Sequence, residues 1–426
     1  MKLAQLKIEI EDQQIESKES IENPSIVMRL QASEFREFLQ SNLIKVIVGV
    51  RRSGKSTLAL LSMKKHKYIY FNFDSEILGS IESNNLNQIF EIGLEIQPDA
   101  HFFIFDEIQN VEGWELFINK LHRKKKNIIL TGSNSRLLSS ELTTHLTGRV
   151  LTLELLPFSF REFLGSNFKS EPLKIEERVE LKRRLQDYID TGGFPDLIQF
   201  EKGSKIAKQY LFELYDRIIS RDLIQRRKIR NIKAIKDLSL LLLSLNSSRF
   251  TFQSLKRNLN FTSINTVKNY VDFFCETYLG FIVEPFSYKV KARISLPKKF
   301  YSIDPTLVES VLKVANRDLG KKLENIIYLE LRRRKYEIYY LYQNNYEVDF
   351  ALVRGRTLME LIQVTWDISD NSTYLREVSS LIKAAKEFKV SNLTIISFES
   401  NEDKILKDGF EINILPAWKW LLMNYD

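Results

Sequence analysis

Short apolar runs alternate with longer mixed segments over the first third of the chain. Runs with the length of a β-strand lie at 44–48, 68–73, 102–105, 127–130 and 150–153. Continuous apolar runs of this kind are typical of strands that are buried on both faces. The intervening segments have the residue mixture of helices. The pattern therefore predicts an α/β fold with a parallel sheet covered by helices on both faces.

Beyond residue 156 the pattern changes. Mostly helical segments extend to about residue 230, and strands and helices alternate again from about residue 300. The first 24 residues are polar and acidic, which is typical of a tail or an edge element. The predicted segments are an N-terminal tail (1–24), an α/β core (25–156), a helical lid (157–230), a small helical unit (231–299) and a second α/β domain (300–426).

The small helical unit has the predicted order of a winged helix. Its elements are a short helix at 252–259, a longer helix at 264–278 and a hairpin of strands at 281–286 and 289–294. In a DNA-binding winged helix the second helix, which here carries Asn265, Lys268 and Asn269 near its start, lies in the major groove. Winged helices also serve as protein–protein modules, so this unit alone leaves both kinds of partner open.

Composition narrows the class of protein. With 44% hydrophobic residues the chain is expected to be globular. Its single cysteine, Cys275, excludes a disulfide framework, and its histidines have no spacing typical of zinc. No apolar run suits a signal peptide or a membrane span, so a cytoplasmic protein without membrane contact is expected. The net charge of +8 permits contact with nucleic acid without requiring it.

The first candidate for chemistry follows the first apolar run. Gly49, Gly54, Lys55 and Ser56 fit the pattern G-x4-G-K-[ST], and a helix-forming run comes next. Glycines let backbone N–H groups converge on phosphate oxygens at the positive end of the helix. The lysine reaches the outer phosphates and the serine hydroxyl ligates Mg²⁺. The sequence therefore predicts an ATP site. The residues expected to line it are Gly49, Val50, Arg51, Arg52, Ser53, Gly54, Lys55, Ser56 and Thr57.

The second candidate is the run 102–105, which ends in Asp106 and Glu107. A buried strand delivers these carboxylates at its carboxyl end, where α/β sheets bind ligands. Asp106 is expected to hold Mg²⁺, directly or through water. Glu107 is expected to orient and polarise the attacking water, which is the task of a hydrolase and not of a nucleotide switch.

Further positions are candidates for contact with the outer phosphate. Ser133 and Asn134 follow the run 127–130, and either is suited to touch the γ-phosphate or the attacking water. The alternative for them is a turn with a helix cap. Arg149 precedes the fifth run and is expected to face a nucleotide in this chain or in a neighbouring chain, the alternative being an ordinary surface arginine.

Together these motifs resemble a known family. The stretches GVRRSGKST, FFIFDEIQN, ILTGSNSRLL and LTGRVLTLELLPFSFREFL are similar to those of archaeal and bacterial AAA-type ATPases, as are GGFP and the closing LPAWKWL. Members of that family carry a C-terminal domain of unknown function related to the PD-(D/E)xK nucleases. The resemblance implies a P-loop AAA-type ATPase core followed by a restriction-endonuclease-like α/β domain.

The nuclease pattern is incomplete in this chain. In such enzymes a helix glutamate, an aspartate and a Glu-x-Lys strand gather Mg²⁺ and a water. Glu324 and Asp349 match the first two positions, whereas Gln363 and Thr365 stand where the glutamate and the lysine are expected. An amide is a weaker ligand for a divalent metal than a carboxylate, and threonine carries no charge. The domain is therefore expected to be degenerate, without nuclease activity.

Replacements for the missing groups are conceivable. Glu360 precedes Gln363 by three residues, which puts it on the opposite face of the strand, and Lys383 or Lys386 would have to reach in from the next helix. Basic runs at 226–228 and 332–335 are candidates for contacts to nucleic-acid phosphates, the alternative being a solvated surface.

The sequence as a whole predicts a Mg²⁺-dependent ATPase. The first hypothesis is a DNA-associated AAA-type ATPase. The second is a nucleotide-controlled regulatory module that binds a protein partner, with self-association also open. Salt-dependent DNA binding would separate the two hypotheses, because phosphate contacts release counterions.

Overall fold

The computed structural model describes residues 3–22, 26–134, 146, 148–165, 174–313, 318–343 and 346–423, without the side chains of 290 and 292. The predicted boundary at 24 and the motif residues 135–138 and 147 lie outside this range. By its internal contacts the chain divides into two compact units, Met1–Pro157 with Glu276–Tyr278, and Phe158–Cys275 with Leu279–Asp426. The regions predicted as a helical lid, a small helical unit and a second α/β domain thus fall within one unit.

The first unit contains the predicted parallel sheet, which is confirmed with five strands in the order β2-β3-β4-β1-β5. The strands are β1 (Ile44–Val48), β2 (Tyr68–Asn72), β3 (Phe102–Asp106), β4 (Asn127–Gly132) and β5 (Val150–Glu154). The helices are α1 (Leu3–Ser20), α2 (Ala32–Leu39), α3 (Lys55–Ser62), α4 (Leu86–Ile96) and α5 (Trp114–Arg123), with 3₁₀ turns at Leu78–Ser80, Ser83–Asn85 and Ile108–Asn110. All residues of β1 and β3 are buried, which is why their sequences are apolar apart from Lys45 and Asp106.

Of the two alternatives for the N-terminal segment, a tail or an edge element, the structure agrees with the second, because α1 is a helix that covers the edge strand β2. The Gln14 side-chain amide accepts from the Tyr70 N–H and donates to the Tyr70 carbonyl, both at 2.8 Å. Gln13 makes the same pair of bonds to the backbone of Asn72, at 2.8 and 3.3 Å. These side chains satisfy backbone groups that an edge strand would otherwise expose. Since the buried positions of α1 include Gln13 and Ser17, its apolar periodicity is too weak to be read from the sequence.

The second unit begins with helices and contains two sheets. Its helices are α6 (Phe160–Leu164), α7 (Ile175–Thr191), α8 (Lys205–Arg217), α9 (Ile232–Ser244), α10 (Phe252–Asn258), α11 (Ile264–Glu276), α12 (Val290–Ser295), α13 (Pro305–Leu312), α14 (Leu319–Arg333), α15 (Asn371–Phe388) and α16 (Ala417–Leu422). A 3₁₀ helix at Pro195–Gln199 and a π-helix at Ile218–Gln225 flank α8.

The smaller sheet has three antiparallel strands in the order β6-β8-β7. They are β6 (Ser248–Phe250), β7 (Gly280–Val283) and β8 (Lys298–Ser302). The predicted short and long helices are confirmed as α10 and α11, but the predicted hairpin is wrong. Residues 290–295 form α12, and the strand that pairs with β7 is β8. Every residue of β8 is buried, although its first two residues are lysines, which are not typical of a buried strand.

The larger sheet is mixed, with six strands in the order β13-β14-β12-β11-β10-β9. The strands are β9 (Glu337–Gln343), β10 (Tyr346–Arg354), β11 (Thr357–Thr365), β12 (Leu393–Ser397), β13 (Asp403–Lys407) and β14 (Phe410–Pro416). β11 pairs antiparallel with β10 and parallel with β12. The order helix, three strands, helix and strand expected for this region is confirmed by α14, β9, β10, β11, α15 and β12.

Candidate nucleotide site

The glycine-rich loop joins the carboxyl end of β1 to the start of α3. Gly49 has φ +152°, and a Cβ atom there would lie 2.1 Å from the Leu155 carbonyl oxygen, so no larger residue fits. Gly54, at φ +89°, is the N-cap of α3 and adopts a left-handed conformation that favours glycine. The two glycines thereby hold the loop at the N-terminus of a helix, where backbone N–H groups and the helix dipole favour an anion.

Lys55 is the first residue of α3 and is buried. Its Nζ donates to the carbonyl oxygens of Gly49 and Val50, at 3.1 and 3.0 Å. The Lys55 Nζ also lies 4.0 Å from Glu107 Oε1. The ammonium is therefore positioned inside the loop, between backbone oxygens and the carboxylate that follows β3.

An arginine that sequence reasoning missed supports the loop from behind. Arg29 is buried, and its guanidinium donates to the Ser53 carbonyl at 2.5 Å and to the Leu156 carbonyl at 2.6 Å. Within the loop, Arg51 forms an ion pair of 3.1 Å with Asp74, which follows β2. Arg29 and Arg51 thus hold the loop in place by contacts in which Lys55 takes no part.

Asp106 is the last residue of β3, and its carboxylate accepts hydrogen bonds from three hydroxyl groups. Ser56 Oγ and Tyr70 Oη donate to Asp106 Oδ2, at 2.6 and 2.5 Å, and Thr131 Oγ1 donates to Oδ1. Burial, together with the negative charge of Asp106, raises the pKa of Tyr70 well above its usual value, so its hydroxyl remains a donor. Tyr70 and Thr131 were not predicted as site residues, although each lies on a strand that pairs with β3.

Glu107 adopts a left-handed backbone conformation, with φ 54°. Such a conformation costs a residue other than glycine about 1–3 kcal/mol and is concentrated at functional sites. Its Oε2 accepts from Ser133 Oγ at 2.9 Å, from the Ser133 N–H at 3.3 Å and from the Gln109 amide. The Ser133 and Glu107 side chains are therefore in direct contact, and Asn134, the next residue, is also buried.

Arg149 lies at the wrong edge of the sheet for a nucleotide in its own chain. Its carbonyl accepts from the N–H of Ile44 at the amino end of β1, at 2.9 Å, whereas the glycine-rich loop follows the carboxyl end. A strand of this length separates the two edges by about 15 Å. The exposed Arg149 side chain donates to Asn119 Oδ1 on α5 at 2.8 Å. Contact with a nucleotide of the same chain is thus excluded, and contact with a neighbouring chain stays a prediction.

The four residues of the predicted nuclease-like site lie in the second unit. Glu324 on α14 and Asp349 on β10 both approach Lys299 Nζ, at 2.9 Å. Gln363 Oε1 accepts from the Asp349 N–H at 2.7 Å, which brings a third predicted residue to the same place. Thr365 Oγ1 instead donates to the carbonyl of Asp367 at 3.2 Å. Lys299 was not predicted as a member of this cluster.

Two of the three replacements considered for the nuclease-like site, Glu360 and Lys386, have other partners. Glu360 accepts from Thr394 Oγ1 at 2.8 Å, and Lys386 pairs with Asp408 on the surface at 2.8 Å.

Four arginines of the two basic runs contact other side chains of the second unit. Arg333 and Arg334 have side chains only 3% and 8% exposed and pair with the buried Glu330. The guanidinium of Arg332 stacks on Phe281 at 4.3 Å. In the other run, Arg227 stacks on Phe273 at 4.2 Å. Buried and stacked guanidinium groups do not make a phosphate-binding surface, so the burial of Arg333 and Arg334 fits neither a contact with nucleic acid nor a solvated surface.

The glycine-rich loop, the lysine and the strand-end carboxylates define a P-loop ATPase of the AAA class. A profile of the AAA domain matches residues 41–164, and a domain of unknown function, DUF8612, matches residues 182–318. The latter covers the helical segment and the three-stranded sheet, whereas the resemblance placed a domain of unknown function at 300–426. Among the described helices, none is long and apolar enough to cross a membrane.

The chain is similar over most of its length to proteins of archaea and bacteria. An uncharacterized protein of Methanocaldococcus jannaschii, MJ1544, is 38% identical, and the match covers 89% of this chain and 88% of that protein. The chain therefore belongs to the same family of AAA-domain ATPases as MJ1544. An uncharacterized protein of Haemophilus influenzae is 26% identical, with 90% of this chain and 95% of that protein covered.

Among solved structures, the chain is similar to a Walker-type ATPase of Pyrococcus abyssi. The match covers 68% of this chain and 96% of that chain, with 17% identity and a TM-score of 0.45. A similarity of this degree supports no argument about function.

Proposed function

We propose that this protein hydrolyses ATP in a Mg²⁺-dependent reaction at the loop between β1 and α3. The observation that carries the proposal is the meeting of two pairs at one edge of the sheet: Ser56 donates to Asp106 at 2.6 Å, and Lys55 lies 4.0 Å from Glu107. A nucleotide-binding protein without hydrolysis needs the lysine and the serine, but it does not need a second carboxylate. Glu107 is that second carboxylate.

The residues at this edge fit Mg²⁺ and a phosphate chain. Ser56 and Asp106 offer a hydroxyl and a carboxylate 2.6 Å apart, and Mg²⁺ prefers oxygen ligands of this kind. Bound Mg²⁺ neutralises charge on the phosphate oxygens. Among the described residues, the buried Ser53 Oγ has no hydrogen-bond partner, and such a group costs about 1–3 kcal/mol. A phosphate oxygen offers the acceptor that this hydroxyl lacks.

Each residue then has a distinct task. Lys55 binds the outer phosphates, in exchange for its present bonds to the carbonyls of Gly49 and Val50. Glu107 holds and polarises the attacking water. Its present acceptor bonds from Ser133 make Ser133, more than Asn134, the residue that orients it.

Tyr70 is proposed to position Asp106, and its replacement by phenylalanine tests this. We expect Tyr70→Phe to raise the Mg²⁺ concentration for half-maximal ATPase activity at least about tenfold, since a hydrogen bond to a charged group is worth about 1.5–3 kcal/mol and about 1.4 kcal/mol corresponds to a factor of ten. Binding of ATP in EDTA should be unchanged. Tyr68→Phe is the matched control. Tyr68 lies on the same strand as Tyr70, and its hydroxyl contacts Ser17 Oγ on α1 at 3.2 Å. Equal Mg²⁺ dependence in both variants would contradict the role.

We further propose that the ATPase is associated with DNA. The order α9, β6, α10, α11, β7, α12, β8 in the second unit, with a central β8, supports a winged helix. Asn265 and Asn269 on α11 are exposed and Lys268 is half-buried, which leaves this helix able to contact a groove. Arg333 and Arg334 are buried and pair with Glu330, so they do not offer positive charge to DNA. This favours the second candidate, a nucleotide-controlled module that binds a protein partner.

A salt titration of DNA binding separates the two candidates. For a DNA-associated ATPase we expect affinity for duplex DNA to fall steeply with salt and DNA to change the ATPase rate. Lys268→Ala should reduce the slope of log K against log[salt] by about 1, as the loss of one phosphate contact does. Lys404→Ala, which removes an exposed lysine on β13, is the control. Absence of salt-dependent binding, with an ATPase rate indifferent to single- and double-stranded DNA, would leave the protein-binding module.

A further inference from the structure

A buried lysine lies at the centre of the carboxylate cluster in the second unit. Lys299 is on β8, and its side chain is only 3% exposed. Its Nζ lies 2.9 Å from Glu324 Oε1, 3.0 Å from Glu347 Oε1 and 2.9 Å from Asp349 Oδ1. One ammonium group therefore contacts three carboxylates that come from α14 and β10.

Each of these carboxylates is also held by a second donor. Tyr301 Oη donates to Glu324 Oε1 at 2.7 Å, and the N–H of Val364 donates to Asp349 Oδ2 at 3.0 Å. Glu347 forms an ion pair with the Arg249 Nε at 3.2 Å. The carboxylates are therefore oriented by the surrounding structure, and the ammonium occupies the point on which they converge.

The ammonium is charged at neutral pH. Burial lowers the pKa of Lys299, but the nearby charges of Asp349 and Glu324 more than offset this and hold its pKa well above the usual value. Burial also raises the pKa of Glu324 to about 7, and the charge of Asp349 acts in the same direction. The charge of Asp349 raises the pKa of both groups, and Lys299 is the cation at the centre of the cluster.

Two of the three carboxylates, Glu324 and Asp349, are the residues that a nuclease of the resembled kind would use to hold its metal. A divalent cation that bridged them would need the space between their oxygens, where Lys299 Nζ now lies. Among the described residues, no group of three or more histidine, cysteine, aspartate or glutamate side chains is arranged to hold a metal. The residues present therefore do not fit the metal that this kind of site implies.

We propose that the Lys299 ammonium takes the place of the divalent cation, so that the cluster is stable without metal and closed to metal-dependent cleavage of nucleic acid. Lys299 belongs to the three-stranded sheet, whereas its partners belong to α14 and to the six-stranded sheet. The same group thus joins β8 to the carboxylates. This inference goes beyond ATP hydrolysis and does not depend on it.

The neighbouring side chains agree with a closed site. Gln363 uses both ends of its amide, because its Oε1 accepts from the Asp349 N–H and its Nε2 donates to Glu377. A carboxylate in its place would face Glu377 with no proton to donate. The double variant Gln363→Glu with Thr365→Lys would still have Lys299 at the centre of the carboxylate cluster. We therefore expect that variant not to cleave nucleic acid.

Binding of Mn²⁺ in the absence of ATP tests the proposal. In wild-type protein, any binding of Mn²⁺ should be the same with and without Asp349→Asn. Lys299→Met should bind Mn²⁺ at least about 100-fold more tightly than wild-type protein does, since a buried like charge has been removed. Lys299→Met should melt at a lower temperature in EDTA and recover part of the loss in Mn²⁺. Adding Asp349→Asn should abolish the response to Mn²⁺. Lys298→Met, which removes the buried neighbouring lysine paired with Glu284, is the control and should not respond.

If Lys299→Met does not fold even in Mn²⁺, Lys299→Met with Glu347→Gln relieves the repulsion and leaves Glu324 and Asp349 for the metal. The proposal is overturned by Mn²⁺ binding to wild-type protein that Asp349→Asn removes, or by a folded Lys299→Met variant indifferent to Mn²⁺. It is equally overturned if neither variant folds differently in Mn²⁺ than in EDTA. Metal-dependent cleavage of DNA or RNA by wild-type protein, lost in Asp349→Ala, would show an open site and also overturn it.

Discussion

Replacing Lys55 with alanine should weaken binding of Mg²⁺-ATP by about 100-fold. Charge-assisted hydrogen bonds to a buried partner are worth about 1.5–3 kcal/mol each, and about 1.4 kcal/mol corresponds to a factor of ten in affinity. Lys55 is the first residue of α3 and lies against the loop that is expected to surround the phosphates. No other lysine in the loop can replace it, since residues 49–57 contain only this one.

The same substitution should lower stability slightly. Lys55 now donates to the carbonyl oxygens of Gly49 and Val50, and alanine would leave both without this donor. A calorimetric titration with Mg²⁺-ATP measures the affinity, and a melting curve without nucleotide confirms that the variant is folded. Lys64→Ala, which removes an exposed lysine just after α3, is the matched control. A folded Lys55→Ala protein with the affinity of wild type would remove Lys55 from the site.

Replacing Glu107 with glutamine should leave ATP binding intact and slow turnover by about 10²- to 10³-fold, within the range expected for loss of a general base. Glutamine has the same shape and its oxygen still accepts from Ser133, so the strained backbone at φ 54° has no reason to change. The amide, however, cannot take a proton from water. The effect therefore belongs to the chemical step and not to binding.

Single-turnover measurements with excess enzyme isolate that step. Glu112→Gln, which changes an exposed carboxylate a few residues further along, is the control and should turn over as wild type does. A single-turnover rate in Glu107→Gln equal to that of wild type would exclude Glu107 as the residue that activates water.

The nucleotide site was predictable from sequence because strand direction places its parts. A parallel sheet brings the carboxyl ends of β1 and β3 to one edge, so the loop at Gly49 and the carboxylate of Asp106 must meet there. The same reasoning, applied fully, places Arg149 away from the nucleotide site of its own chain. It precedes β5, and a residue that precedes a parallel strand lies at the opposite edge.

Features that depend on polar side chains in buried places were not predictable. Gln13 and Gln14 give α1 its attachment to β2 through side-chain amides, for which hydrophobic periodicity has no signal. Lys298 and Lys299 interrupt the apolar pattern of β8, although both are buried. The carboxylates that compensate the charge of Lys299, those of Glu324, Glu347 and Asp349, are distant in sequence, so its environment could not be read locally.

Release of phosphate from ATP by the purified protein is the most direct test of the central claim. The account predicts release that saturates with ATP, requires Mg²⁺ and falls to background in Glu107→Gln, while that variant still binds ATP. Wild-type protein that binds Mg²⁺-ATP at this loop but releases phosphate no faster than Glu107→Gln, with or without DNA, would contradict it.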